Sequence, residues 1–185
     1  MRMSASGWVS IGSNLLAVAL TTAAYHGHGV PLFLPYTWHK LLHILGVIVL
    51  VGNITVGPLW VIQAWRSRSP EQLGFAMRTL ALADIWFTAP GVQLAVVNGL
   101  AMASAFGGLR AQPWLAQSYA LILVLALAAP TGVLYHQERA VRLAVAGDNG
   151  PAFTRAFLLW SVWGSAVMVP LVLVFYMMVT KHAVF

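Results

Sequence analysis

The sequence predicts an all-α fold, a polytopic bundle of five transmembrane helices. Of its 185 residues, 60% are hydrophobic and only 8% are charged, whereas an ordinary soluble domain has about 25% charged residues. Its mean hydropathy is +0.81. Short loops rich in glycine, proline and basic residues separate apolar runs long enough for the roughly 20 residues that a bilayer crossing needs. We therefore interpret residues 1–185 as a single transmembrane domain whose main partner is the lipid bilayer.

Boundary residues place the helices along the chain. The first apolar run also fits a signal peptide, but we interpret it as a transmembrane helix. Thr37 is the expected N-cap of the second helix, and Ser69 with Gln72 resembles a capping box at the start of the third. Proline removes a backbone hydrogen bond, so we expect bends at Pro90 and Pro130. The predicted helices lie at about residues 8–25, 38–65, 70–106, 114–146 and 153–180.

Charge gives an orientation and excludes some functions. The net charge of +6 resembles that of a nucleic-acid-binding protein, but the basic residues lie in loops between the spans, so we expect no nucleic-acid partner. The absence of cysteine excludes disulfides and thiolate metal sites. The positive-inside rule predicts that the N-terminus lies inside and the C-terminus outside. The predicted inner side has Arg2, Arg66, Arg68, Arg78, Arg139, Arg142 and Arg155, and the outer side has Lys40, Arg110 and Lys181.

Most of the histidines then fall near the outer face. Ionisable side chains within a span are costly and are functional candidates by default. Imidazole also suits copper and zinc, so the outer histidines could bind such an ion, although a solvated polar loop explains His26 and His28 equally well. The outer group contains His26, His28, His39, His43 and His182, and only His136 lies near the inner face.

His39 and His43 open the second helix and share one face, because they are four residues apart. This spacing suits a shared metal ion, but it prevents the two from binding opposite faces of one haem. His39 is expected at the headgroup level and His43 deeper, one turn before Gly46. A glycine there would leave room for a flat ring, so we predict b-type haem at His43. The alternative is that His43 only hydrogen-bonds a neighbouring helix.

Other side chains complete the candidate sites. A second axial ligand would come from the outer end of another helix, where Met102, Met178 and His182 lie. Polar residues inside the spans either join neighbouring helices or serve function. Asp84 and His136 could form a proton relay or a buried ion pair. The intramembrane polar candidates are Asn53, Asp84, Asn98 and His136.

Two motifs resemble known families. His43-Ile44-Leu45-Gly46, Gly52-Asn53-Ile54 and the stretch from Ala83 to Val92 (ADIWFTAPGV) are similar to bacterial integral membrane proteins of the CopD-like group that share a domain of unknown function. The resemblance covers roughly residues 38–140. It implies a protein of the bacterial inner membrane with a four-helix core of CopD/HemJ type, preceded by an extra first helix.

The opening of the second helix also resembles that of HemJ, a membrane haem protein. Trp38, Lys40, Leu42, His43 and Ile44 match its WxKxLHI pattern. The resemblance associates haem with His43 alone.

The functional hypotheses belong to three classes. The first is a protein that binds b-type haem through His43 for electron transfer or redox chemistry at the membrane. The second is a non-catalytic subunit that packs against a larger membrane complex or forms a homo-oligomer. The third is copper handling through the outer histidines. Whether the protein is an enzyme stays open at this point.

Overall fold

A computed structural model describes residues 3–185, so Arg2, which contributed to the orientation argument, lies outside the described range. Within that range the protein forms five long apolar helices, each able by length and composition to cross a membrane. The predicted all-α class and the five candidate spans are confirmed. The helices are α1 (Ala5–Tyr25), α2 (Tyr36–Arg66), α3 (Pro70–Ser104), α4 (Pro113–Val145) and α5 (Pro151–Thr180).

Serine side chains begin two of the helices. Ser4 caps α1 by accepting a hydrogen bond from the Gly7 N–H at 3.1 Å, and Ser69 caps α3 by accepting one from the Gln72 N–H at 3.3 Å. The start of α2 differs from the prediction. The helix begins at Tyr36, so Thr37 lies inside it. The N-cap residue is Pro35, whose side chain forms no capping hydrogen bond. The extended backbone of Pro35 directs its carbonyl into the first turn, where it accepts from the Trp38 N–H at 2.9 Å.

π-Helical turns lie at the two positions where bends are predicted. In α3 the π segment is Asp84–Thr88, which ends two residues before Pro90, and in α4 it is Ala129–Leu134, which contains Pro130. A proline ring clashes with the carbonyl four residues earlier, and a wider turn accommodates this without ending the helix. The wider turns also change which side chains face the centre of the bundle.

The helices pack as two pairs, which are joined by α1 and by a direct contact between α3 and α4. In one pair α2 lies along α3, in the other α5 lies along α4, and α1 contacts both α3 and α4. The α2–α3 contact is unusually close. A Cβ added to Gly46 would lie 2.6 Å from the Ala95 backbone nitrogen, and one added to Gly91 would lie 2.9 Å from that of Leu50. Small residues allow such backbone contact between membrane helices.

A cluster of apolar side chains packs together at each end of the bundle. We call the end where α2 stops and α3 and α5 start the arginine-rich end, and the opposite end the histidine-rich end. The cluster at the arginine-rich end includes Val61, Leu73, Met77, Phe153, Phe157 and Trp160. The cluster at the histidine-rich end includes Leu100, Ala103, Leu109, Trp114, Val174 and Met177.

Candidate functional site

The His43 ring is fixed by the backbone of α3. Its Nδ1 lies 2.6 Å from the carbonyl oxygen of Ala95. A carbonyl can only accept a hydrogen bond, so Nδ1 carries a proton, and in the neutral imidazole Nε2 then keeps its lone pair. Among residues 3–185 no hydrogen bond to this Nε2 is formed. The side chain is half-buried. In its neutral form, His43 therefore has one ring nitrogen oriented by α3 and the other available.

Gly99 makes room for this ring on α3. A Cβ at Gly99 would lie 3.0 Å from His43 Nδ1 and 3.1 Å from its Cε1. These are closer contacts than side chains normally make, so a larger residue would push the imidazole away. The absence of a side chain at this position lets the ring approach the Ala95 carbonyl.

His39 is held in a different way. It is fully buried, with 0% of its surface exposed. Its Nδ1 lies 2.8 Å from Asn98 Oδ1, and its Nε2 accepts a hydrogen bond from the Leu34 N–H at 3.2 Å. Asn98 in turn donates to the carbonyl of Leu94 at 2.8 Å. Both nitrogens of His39 are thus engaged in fastening the α1–α2 loop to α3.

These contacts depart from two expectations. His39 was expected at the headgroup level, free to bind a surface metal, but α3 and the loop before α2 enclose it. Gly46 was expected to leave space for a flat ring, but the backbone of α3 fills that space. The sequence shows which residues share a face of α2, but it does not show that α3 packs against this face.

The remaining candidate ligands are dispersed. Met178 packs against the apolar cluster of the histidine-rich end, and Met102 is half-buried on α3. His26, His28 and His182 are exposed. Within residues 3–185 no group of three or more histidines and carboxylates is arranged to hold a metal ion.

A second polar site surrounds Asp84, which is 9% exposed. Thr88 donates a hydrogen bond to its Oδ1 at 2.8 Å, and Asn53 donates to the same oxygen at 3.3 Å and to Thr88 Oγ1 at 2.7 Å. Gln137 donates to Oδ2. The π turn of α3 positions the carboxylate, which joins α2, α3 and α4 through neutral donors.

A neighbouring carboxylate continues this polar region towards the start of α1. Glu138, adjacent to Gln137, is 3% exposed. It accepts hydrogen bonds from the backbone N–H of Ser4 at 3.0 Å and from the hydroxyls of Ser4 and Ser6. The cluster therefore ties the beginning of α1 to α4.

The structure changes the expected partner of Asp84. Neutral Gln137 bonds the carboxylate, whereas His136 has a buried Nδ1 without a hydrogen-bond partner. Adjacent residues on a helix point about 100° apart, so only one of the two can face Asp84. The sequence pattern identified Asn53 and Asp84 but not Gln137, because the π turn that sets the rotation of α4 has no clear sequence signal.

At the histidine-rich end, cationic side chains pack on aromatic rings. Lys181, in a left-handed conformation just after α5, places its Nζ 4.1 Å from the centre of the Trp114 ring. Partial burial, and then the charge of Lys40, lower the pKa of Lys181. The Lys181 ammonium therefore packs against the rings of Trp114 and Phe106 at this end of the bundle.

Comparisons with known proteins agree with this architecture at the level of family. A family model described as a predicted integral membrane protein (DUF2269) matches residues 37–182, which leaves α1 outside the match. No curated protein and no solved structure matches the chain. The match carries no link to CopD or HemJ proteins, so that resemblance stays a prediction. The chain is a multi-pass integral membrane protein and belongs to the DUF2269 family of predicted integral membrane proteins.

Proposed function

We propose that this protein binds b-type haem through Nε2 of His43 and serves electron transfer or redox chemistry at the membrane. The observation that carries this proposal is the 2.6 Å hydrogen bond between His43 Nδ1 and the Ala95 carbonyl. Histidines that bind a metal characteristically donate their other ring N–H to a carbonyl or carboxylate, which fixes the tautomer and orients the ring. His43 meets that requirement, and His39 does not, because both of its nitrogens are engaged.

The donor set fits one axial ligand of a haem. A neutral imidazole is a common axial ligand of haem iron, and a bound haem would supply reversible one-electron chemistry. The residues that would hold it are His43 as the ligand, with Ala95 and Gly99 as the groups that orient the imidazole. The imidazole is half-buried, and burial is one of the levers by which proteins tune a haem.

The packing of α2 on α3 limits where the macrocycle would lie. The backbones touch at Gly46 and Gly91, so no flat ring fits between these helices. A haem on His43 would therefore lie beside the helix pair, on the side where the imidazole is partly exposed. Met102, one turn beyond Gly99, and Met178 and His182, on or after α5, are the further residues that would help to hold it.

An absorption spectrum tests the proposal. We expect the protein purified from haem-replete cells to show a Soret band that disappears in His43→Ala. The matched control is His28→Ala, which removes an exposed histidine and should leave the band unchanged. A colourless wild-type protein that also fails to take up added haem would contradict haem binding. Equal loss of the band in both variants would show that the loss is not specific to His43.

Replacing Gly99 with alanine tests the orienting role of α3. The added methyl group would lie 3.0 Å from His43 Nδ1 and would displace the ring from the Ala95 carbonyl. Outer-shell partners of metal ligands typically contribute about 10–100-fold in metal affinity. We therefore expect haem affinity to fall at least about tenfold in Gly99→Ala, measured by haem titration. Gly52→Ala, at a position with open space around it, is the control and should bind haem normally.

Two competing proposals predict other results. A non-catalytic subunit would co-purify with stable partner proteins after gentle solubilisation, and a self-sufficient monodisperse protein would count against that role. Copper handling through His26 and His28 would give stoichiometric copper in metal analysis. The exposure of these two histidines makes them accessible, but the structure brings no third ligand to them within its described residues.

A further inference from the structure

Two adjoining clefts open at the arginine-rich end, between the end of α2 and the start of α5. The first has a volume of about 530 Å³. Its walls combine guanidinium, amide and hydroxyl groups with one indole ring. These belong to Trp65, Arg66, Arg68, Asn149 and Thr154. Tryptophan and arginine at the end of a span are typical of the level at which lipid headgroups lie.

The second cleft continues from the first along α5. It has a volume of about 750 Å³ and shares Thr154 with the first cleft. Its lining is mostly apolar and ends at Leu158 and Leu159, which lie two turns inside the helix; Leu158 is 52% exposed. The remaining lining residues are Gly150, Pro151 and Arg155. A polar mouth thus leads into an apolar groove on the outside of the bundle.

The charge of this region is strongly positive. Arg66, Arg68 and Arg155 are exposed, and within the described part of the chain none of them forms an ion pair or hydrogen bond. Neither cleft is lined by a carboxylate. The adjacent Asp148 accepts a hydrogen bond from the Gly150 N–H at 2.8 Å. One oxygen of its carboxylate is therefore bonded within the loop.

We propose that the two clefts form a binding site for one anionic phospholipid. The phosphate would lie against Arg66 and Arg68 in the first cleft, and an acyl chain would follow Leu158 and Leu159 in the second. Arginine binds phosphate with bidentate, charge-assisted hydrogen bonds, and basic pockets between membrane helices bind anionic headgroups. Free phosphate shares the headgroup chemistry but would not use the apolar groove. The joined clefts therefore favour a lipid.

Native mass spectrometry of the detergent-purified protein tests this site. Phosphatidylglycerol, phosphatidylethanolamine with the same acyl chains, and inorganic phosphate are the probes. We expect one phosphatidylglycerol to remain bound at detergent conditions that strip phosphatidylethanolamine. A basic residue near an anionic headgroup contributes about 1 kcal/mol, or about fivefold in affinity. Arg66→Gln/Arg68→Gln should therefore weaken phosphatidylglycerol binding by about twentyfold or more.

The matched control is Arg139→Gln, which removes an exposed charge at the same end but outside both clefts. It should leave phosphatidylglycerol binding within about twofold of the wild type. Leu158→Ser keeps the charges and should weaken long-chain phosphatidylglycerol while leaving a short-chain form unaffected. An equal loss in Arg139→Gln and in Arg66→Gln/Arg68→Gln would overturn the site in favour of general surface charge. Phosphate binding as tightly as phosphatidylglycerol would overturn it in favour of a free anion.

Discussion

Replacing Gly46 with valine is expected to destabilise the bundle by about 3 kcal/mol, because overpacking a close contact displaces backbone as well as side chains. A Cβ at this position would already lie 2.6 Å from the Ala95 nitrogen and 2.8 Å from the Gly91 carbonyl oxygen. Neither atom belongs to a flexible side chain that could move away. The helices α2 and α3 would have to separate, and the His43 contact with Ala95 would be lost with them. The loss should appear as a lower free energy of unfolding in detergent micelles.

Gly52→Val is the control for this prediction. Gly52 lies in the same helix, but a Cβ there meets no atom within 4 Å. The change in helix propensity from glycine to valine is similar at both positions. The difference in unfolding free energy between the two variants therefore isolates the α2–α3 contact. If Gly46→Val unfolded at the same denaturant concentration as Gly52→Val, the close contact between α2 and α3 would be refuted.

The second large effect is expected at Asp84. Replacing it with leucine would leave donor groups of Gln137, Thr88 and Asn53 without their acceptor inside the bundle. Each buried donor left unpaired costs about 1 kcal/mol or more. We therefore expect Asp84→Leu to lower the free energy of unfolding by about 3 kcal/mol. Thermal unfolding in micelles, followed by circular dichroism, measures the change.

Asp84→Asn is the matched variant, because it keeps the size of the side chain and one acceptor oxygen. It should lose clearly less stability than Asp84→Leu. The comparison separates hydrogen bonding from charge, since both variants remove the carboxylate. A leucine variant as stable as the wild type would mean that the donors find other partners and that this cluster does not hold α2, α3 and α4 together.

Length and hydropathy made the spans predictable, because a bilayer demands about 20 apolar residues whatever lies beside them. The observed helices start near the predicted positions, with α1 beginning at Ala5 instead of near residue 8 and α5 at Pro151 instead of near residue 153. Pro90 and Pro130 lie at the two irregular regions, but Pro58 and Pro170 lie within regular α-helix. Proline alone therefore does not determine where a helix becomes irregular. The π-helical form of those regions depends on packing and was not predicted.

The arrangement of side chains between helices was less predictable. Four-residue spacing placed His39, His43 and Gly46 on one face of α2, but only the structure shows that α3 covers that face. As a result, His39 forms a hydrogen bond with Asn98, and the backbone of α3 occupies the space beside Gly46. Gln137 donates to Asp84 from a helix far away in sequence. Contacts of this kind follow from the relative rotation of helices, which hydropathy does not determine.

The most direct test of the haem proposal is chemical rescue of His43→Gly with free imidazole. The glycine variant removes the ligand and leaves a space of the same shape beside Ala95 and Gly99. We expect the variant to lack the Soret band after addition of haem, and we expect imidazole to restore a band at the wild-type position. A wild-type spectrum in His43→Gly without imidazole would contradict the assignment of His43 as the haem ligand.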